Sequence, residues 1–205
     1  MTEDQLLNEL KKMEADGVIL SSFPSIITCK VTESEVPQSF CFQNGRLSEL
    51  TEGVFYELHR LLVKNIPEKQ AVFQPCSHWG CVWAAFGQAL PPMSMIHAKK
   101  FFGEVPCTGE LFLEQINGNL AQALYDQVKA FYDKSFPYKM NAVLLDQIGP
   151  LLLGDTAADV IAKAKHLEEA AAIAYQVRSV EDVTYRHMHY ALMEKFYTED
   201  PVKLK

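Results

Sequence analysis

Nowhere in the 205 residues does an apolar run approach the ~20 that a bilayer-spanning helix needs, which argues against a membrane protein. Basic clusters are equally scarce. Lys11-Lys12 and Lys99-Lys100 are isolated pairs, and 19 Lys+Arg stand against 26 Asp+Glu for a formal charge of -7. Such a chain repels phosphate backbones and anionic headgroups, so neither nucleic acid nor a membrane surface is expected as a partner. Cysteine is sparse and odd in number: the five, at 29, 41, 76, 81 and 107, lack the tandem spacing of a structural zinc site. They read as reduced, mostly buried thiols. Neither GxGxxG nor GxxxxGK[ST] occurs, so no nucleotide fingerprint is present. Pro/Gly/Ser linkers and internal repeats are also missing, and the first residues are acidic and amphipathic where a secretion signal would be basic and then apolar. The expectation is one globular domain in the cytoplasm.

What is present is an alternation of periods. Thr2 and Gln5 make a capping-box start to an amphipathic helix carrying Leu6, Leu10 and Met13 as far as Gly17. Val18 to Val31 reads as one or two strands broken at Pro24, and Phe40-Cys41-Phe42 meets an Asn44-Gly45 turn. Helical spacing returns from Thr51 to Lys64 and from His78 to Gln88, on either side of a short strand at Ala71 to Phe73. The second of these helices is expected to bury Val82, Trp83, Ala85 and Phe86. After a mixed segment, Leu120, Leu124, Val128 and Phe131 mark another helix. Two brief apolar runs, 142–145 and 150–153, flank a tight turn, and Thr156 with Asp159 caps the longest helix. A last helix is expected around Tyr190 to Phe196. Strands alternating with helices predict a three-layer α/β/α domain over residues 1–178, with a helical tail over 179–205 packing on it or on a neighbouring subunit.

Three segments carry more than periodicity. Leu58-His59 ends the motif of one helix, Ala71-Val72-Phe73-Gln74-Pro75-Cys76 follows, and much later Leu144-Leu145-Asp146-Gln147-Ile148-Gly149 runs through Gly154 into the Glu-rich helix at Leu167-Glu168-Glu169. In order and spacing they resemble the class II aldolase/adducin head family, over roughly residues 4 to 178. The resemblance implies a central, mostly antiparallel sheet and ring-shaped tetramers. In catalytic members it also implies a zinc ion held by three histidines, with a glutamate moving protons. Laid on this chain, the first two histidine positions fall on Gln74 and Cys76, the third on Ile148 and the glutamate on Phe55. A neutral amide is a weak zinc ligand, isoleucine cannot ligate, and phenylalanine has no proton to move. The family's phosphate-binding loop corresponds to Ser21-Ser22-Phe23-Pro24-Ser25, where Phe and Pro are expected to fill the space a phosphate would take.

Two functions follow from these losses. The first is a degenerate family member without metal-dependent aldolase activity or a bound zinc, serving as an oligomeric scaffold or as a ligand- or protein-binding module. The second is an enzyme of lyase, epimerase or decarboxylase type on a small carbonyl compound, with a site rebuilt around Cys76 and His78. Asp146, in the turn that carries Ile148, is a further candidate for that site, and His187 and His189 could reach it from the tail or a neighbouring subunit. His59 reads as structural, and Trp79, Trp83 and Phe86 as core.

Overall fold

A computed structural model describes residues 1–31, 36–135, 138–180 and 186–199. Helix α1 (Glu3–Ala15) starts where the sequence places it. The Thr2 side chain accepts the Gln5 amide N–H at 3.2 Å, and the Gln5 side chain accepts the Thr2 N–H at 2.9 Å. Its apolar stripe, Leu6, Leu10 and Met13, is fully buried.

Six strands form one antiparallel sheet in the order β3-β2-β1-β4-β6-β5. They are β1 (Ser25–Cys29), β2 (Gln38–Gln43), β3 (Arg46–Glu49), β4 (Ala71–Gln74), β5 (Ala142–Leu145) and β6 (Gly149–Gly154). Strands buried on both faces need continuous apolar runs rather than alternation, and β4, β6 and the edge strand β5 have them. Successive side chains then go to opposite faces. Ala71, Phe73, Leu144 and Leu152 join a core with α1, α3 (His78–Ala85) and α7 (Ala157–Arg178). Val72, Val143, Leu151 and Leu153 join a second core under α2 (Val54–Asn65) and α6 (Leu120–Lys134). Two apolar clusters on opposite faces of one sheet are the three layers.

Several local expectations fail. Only β1 forms between Val18 and Val31; Ile19 makes one isolated bridge to Ser77. Pro24 and the bend before it leave too little regular chain for a second strand. Helix α3 stops at Ala85, and Phe86 beyond it is 48% exposed rather than core. The mixed segment contains two short helices, α4 (Met95–Lys100) and α5 (Leu113–Asn117), too brief to show a period. Of the cysteines only Cys29 is buried; the other four are partly exposed.

Beyond α7, α8 (Tyr190–Thr198) packs on α4, with Met193 buried and its sulfur accepting the Gly103 N–H at 3.1 Å. Phe102, Tyr138, Tyr190 and Tyr197 form one aromatic cluster there. Residues 181–185 and 200–205 of the expected tail lie outside the described residues.

Candidate functional site

The four positions that the family motif singles out lie around the end of β4. Gln74 closes that strand, Cys76 follows two residues on, Phe55 sits in the first turn of α2, and Ile148 occupies the turn between β5 and β6. That turn is tightly specified. Gln147 adopts φ 57, its N–H donates to the Ala84 carbonyl at 3.1 Å, and the Ile148 N–H donates to Leu145 at 3.0 Å. Phe55 and Ile148 both pack, partly buried, against the apolar cluster under α2 and α6. Hydrocarbon therefore stands at the two positions where the resemblance implies a base and a third ligand.

Gln74 belongs to a buried polar row on the same face. Thr28 Oγ1 and Ser39 Oγ lie 2.7 Å apart, and Thr28 Oγ1 is 3.0 Å from His59 Nδ1. The Gln74 side chain interacts with the ring more loosely, leaving His59 Nε2 and Gln74 Oε1 short of a well-formed hydrogen bond. His59 is fully buried, and loss of hydration drives its pKa from 6.5 down to about 3. At neutral pH it is an uncharged imidazole whose neighbours are hydroxyls and an amide. Reading His59 as structural agrees with this, but the row itself escapes sequence inspection. Its signal is Thr28 between Ile27 and Cys29, a polar residue within a fully buried strand.

The rebuilt Cys76 and His78 pair does not come together as a joint site. His78 is exposed and its ring lies edge-on to Trp79, with centroids 4.9 Å apart. Cys76 instead makes a thiol–thiol contact with Cys81. The N-cap of α3, Ser77, makes no capping hydrogen bond through its own side chain. That task falls to Glu168 on α7, whose carboxylate accepts the Trp79 N–H at 2.7 Å and the Gly80 N–H at 3.0 Å. Nothing local in the sequence marks a cap supplied from 88 residues away. Gly80 is required at this junction, since a Cβ there would stand 2.8 Å from Pro150 Cγ. Because Glu168 is buried and accepts from two helix-terminal amides, Glu168→Ala is expected to destabilise the fold by about 3 kcal/mol. Glu168→Gln, which keeps one acceptor, should lose less. Urea unfolding of the two variants checks the order.

Asp146 is partly buried, its N–H donating to Thr108 Oγ1 at 2.8 Å and its carboxylate lying near Cys107. His187 and His189 are exposed, and His189 caps α8 through Nδ1. Phe23 does not fill the former phosphate loop: it is 57% exposed and turned outward, so Pro24 alone alters that loop's amide supply. A groove of about 560 Å³ opens elsewhere, beside Thr28, Arg60, Lys64 and Gln122, and none of the four motif positions lines it.

The donor set does not fit a catalytic zinc. An amide turned toward His59, a thiol against another thiol, and two hydrocarbon side chains leave one ligating atom where three are needed. Among the described residues no group of three His, Cys, Asp or Glu could hold a metal ion. No helix among them is long and apolar enough to cross a membrane.

Solved structures share the arrangement of this sheet and its helices. L-fuculose 1-phosphate aldolase from Glaciozyma antarctica superposes with a TM-score of 0.70 at 14% identity, covering 95% of this chain and 79% of that one. YgbL from Klebsiella pneumoniae gives 0.66 at 17%, covering 96% and 99%. L-fuculose-1-phosphate aldolase from Thermus thermophilus gives 0.60 at 14%, covering 84% and 94%. These likenesses carry the fold alone. The sequence model of the class II aldolase and adducin N-terminal domain matches residues 37–175, which take in β4 with Gln74, the turn with Ile148 and the Glu168 helix. With that match spanning more than half of its length, the chain belongs to the class II aldolase/adducin family.

Proposed function

We propose that this chain is a degenerate member of its family, a metal-free aldolase fold that works as an oligomeric binding module rather than as an aldolase. The observation that carries this reading is the packing of Phe55 and Ile148 into the apolar cluster under α2 and α6. Two positions that would have to be polar and open to a substrate contribute to the core instead. Restoring chemistry there would mean removing packing. Gln74 and Cys76 add to the case, because each has an internal partner. An enzyme rebuilt on Cys76 and His78 has less support, since the two side chains face different neighbours.

Assembly is supported by a surface feature. Phe112, the N-cap of α5, and Leu113 are each 69% exposed, and Ile116 one turn on is 49% exposed. Contiguous apolar residues of this kind mark surfaces that soluble proteins cover by association. The occupant that suits a fold of this family is a second copy of the chain.

The test has two arms. Protein purified from zinc-supplemented culture is expected to carry less than one zinc per ten chains by elemental analysis, and to leave a sugar phosphate such as L-fuculose 1-phosphate uncleaved. Stoichiometric zinc would overturn the reading. In sedimentation velocity the native chain should run as an oligomer that Leu113→Glu shifts to monomer, whereas a monomeric native chain would remove the assembly part.

A further inference from the structure

The five cysteines are not equivalent, and two of them share a relation that sequence spacing alone does not make obvious. Ser77 is the N-cap of α3, with extended backbone at φ -99 and ψ 150, and the helix begins at His78. Cys76 is thus the residue before the cap, and Cys81 is the fourth residue of the helix. Those two positions are the ones whose side chains meet across the start of a helix, the pair that an apolar staple fills in other proteins. Here both are thiols. Their two sulfurs are neighbours across that junction.

Their backbone is fixed on both sides. The Cys76 N–H donates to Ser25 Oγ at 2.9 Å, and the Cys81 N–H donates to the Ser77 carbonyl at 3.1 Å. Gly149 leaves room for the pair, since a Cβ there would come within 3.2 Å of Cys81 Sγ. Both residues are partly exposed, so a small reagent can reach them. Cys29, Cys41 and Cys107 are free thiols on other elements, away from this helix start.

Two thiols in contact can share a soft metal ion or join as a disulfide, and the surroundings favour the second. The carboxylate close to both sulfurs is that of Glu168, and its two oxygens already accept the Trp79 and Gly80 amides. A third ligand is therefore not to hand. We infer that Cys76 and Cys81 are a modification site, closing to an intrachain disulfide that ties the end of β4 to the first turn of α3.

With a glutathione-type disulfide as oxidant the chemistry balances. The Cys76 thiolate attacks one sulfur of the small disulfide, forming a mixed disulfide and releasing one small thiol. The Cys81 thiolate then attacks Cys76 Sγ and releases the second. The two protein thiols give up two electrons and two protons, and the oxidant becomes two thiols. Burial and the Glu168 carboxylate hold both thiols above their ordinary pKa, so closure is slow at neutral pH and quickens as pH rises.

The experiment uses the folded full-length chain, incubated with excess oxidised glutathione at about pH 8.5, where more thiolate is present. It is then acid-quenched, alkylated with N-ethylmaleimide and digested with trypsin. Cys76 and Cys81 fall on one peptide, Gln70 to Lys99, because no Lys or Arg lies between. The expected product is that peptide lighter by two hydrogens and unlabelled, reverting to a doubly labelled peptide after dithiothreitol. Cys76→Ser and Cys81→Ser, each a mild change, should leave the remaining cysteine as a mixed disulfide with glutathione. A native peptide that stays doubly labelled, stops at the mixed disulfide, or links to Cys107 or to another chain would overturn the assignment.

Discussion

Acidification from pH 6.5 to pH 5 is expected to remove about 3 kcal/mol of folding stability, through two buried histidines and before most carboxylates titrate. His59 is fully buried between Thr28 and Gln74, and desolvation lowers its pKa from 6.5 to about 3. His97 on α4 is 1% exposed, and desolvation lowers its pKa to about 4 although Nε2 meets the Gly103 carbonyl at 2.7 Å. That carbonyl only accepts, so Nε2 carries the proton, and the buried Nδ1 has no partner. The sign follows from which state binds protons. Well above pH 6.5 neither state is charged at these rings, and the stability is fully present. As pH falls below 6.5 the unfolded chain takes up two protons that the folded chain refuses until pH reaches about 4 and about 3. Each ring then contributes a slope of about 1.4 kcal/mol per pH unit. Since a domain of this size has about 5–15 kcal/mol in total, the loss should show as a large shift in urea midpoint. Tryptophan fluorescence can follow it, because Trp83 is fully buried with its Nε1–H on the Ala171 carbonyl at 2.9 Å. His59→Gln should halve the slope whatever it does to stability at pH 7. A native chain whose midpoint is flat between pH 6.5 and 5, or a variant with the native slope, would sink the account.

These two histidines also mark where sequence reading stops. The architecture was legible because it rests on local signals: the Thr2–Gln5 box, the period of Leu120, Leu124 and Val128, and the unbroken apolar runs of β5 and β6. The alignment of the motif positions rests on a different signal. Gln74, Cys76 and Ile148 sit next to Pro75 and Gly149, which anchor a comparison of spacing even when the ligands have changed. What the spacing could not show is which way each substituted side chain turns. Phe23 turns out to solvent and Phe55 turns in, though both are phenylalanines in or beside family loops. Cys76 meets Cys81 rather than His78, because Ser77 starts a helix there and sends successive side chains to different sides. The Glu168 cap and the Thr28–His59 row join residues 88 and 31 positions apart. Contacts of that range are set by the packing of α7 and α2 on the sheet, and no window of sequence contains them.

Putting the lost side chains back should restore the lost metal. The variant Phe55→Glu, Gln74→His, Cys76→His and Ile148→His is expected to bind about one zinc per chain, against almost none for the native protein. The backbone that would hold the three imidazoles is already specified: β4 ends at Gln74 beside β6, and the turn carrying Ile148 is pinned to α3 through Gln147. The substitutions also have a structural penalty. Phe55 and Ile148 leave the apolar cluster, and Gln74 leaves His59, so the metal-free variant should be less stable than the native chain by about 2–4 kcal/mol. Zinc binds only the folded state of such a site, and at 1,000 times its dissociation constant it would return about 4 kcal/mol. The variant should therefore melt early in chelator and recover in zinc, while the native midpoint stays where it is. Reverting position 148 alone to Ile should weaken zinc binding sharply, since it leaves two imidazoles where the site is built for three. A folded quadruple variant that neither binds zinc nor gains stability from it would mean that these four positions are not the family's ligand and base positions. Zinc binding without cleavage of a sugar phosphate is the outcome the altered loop at Pro24 leads one to expect, because a metal polarises only a substrate that something else holds in place.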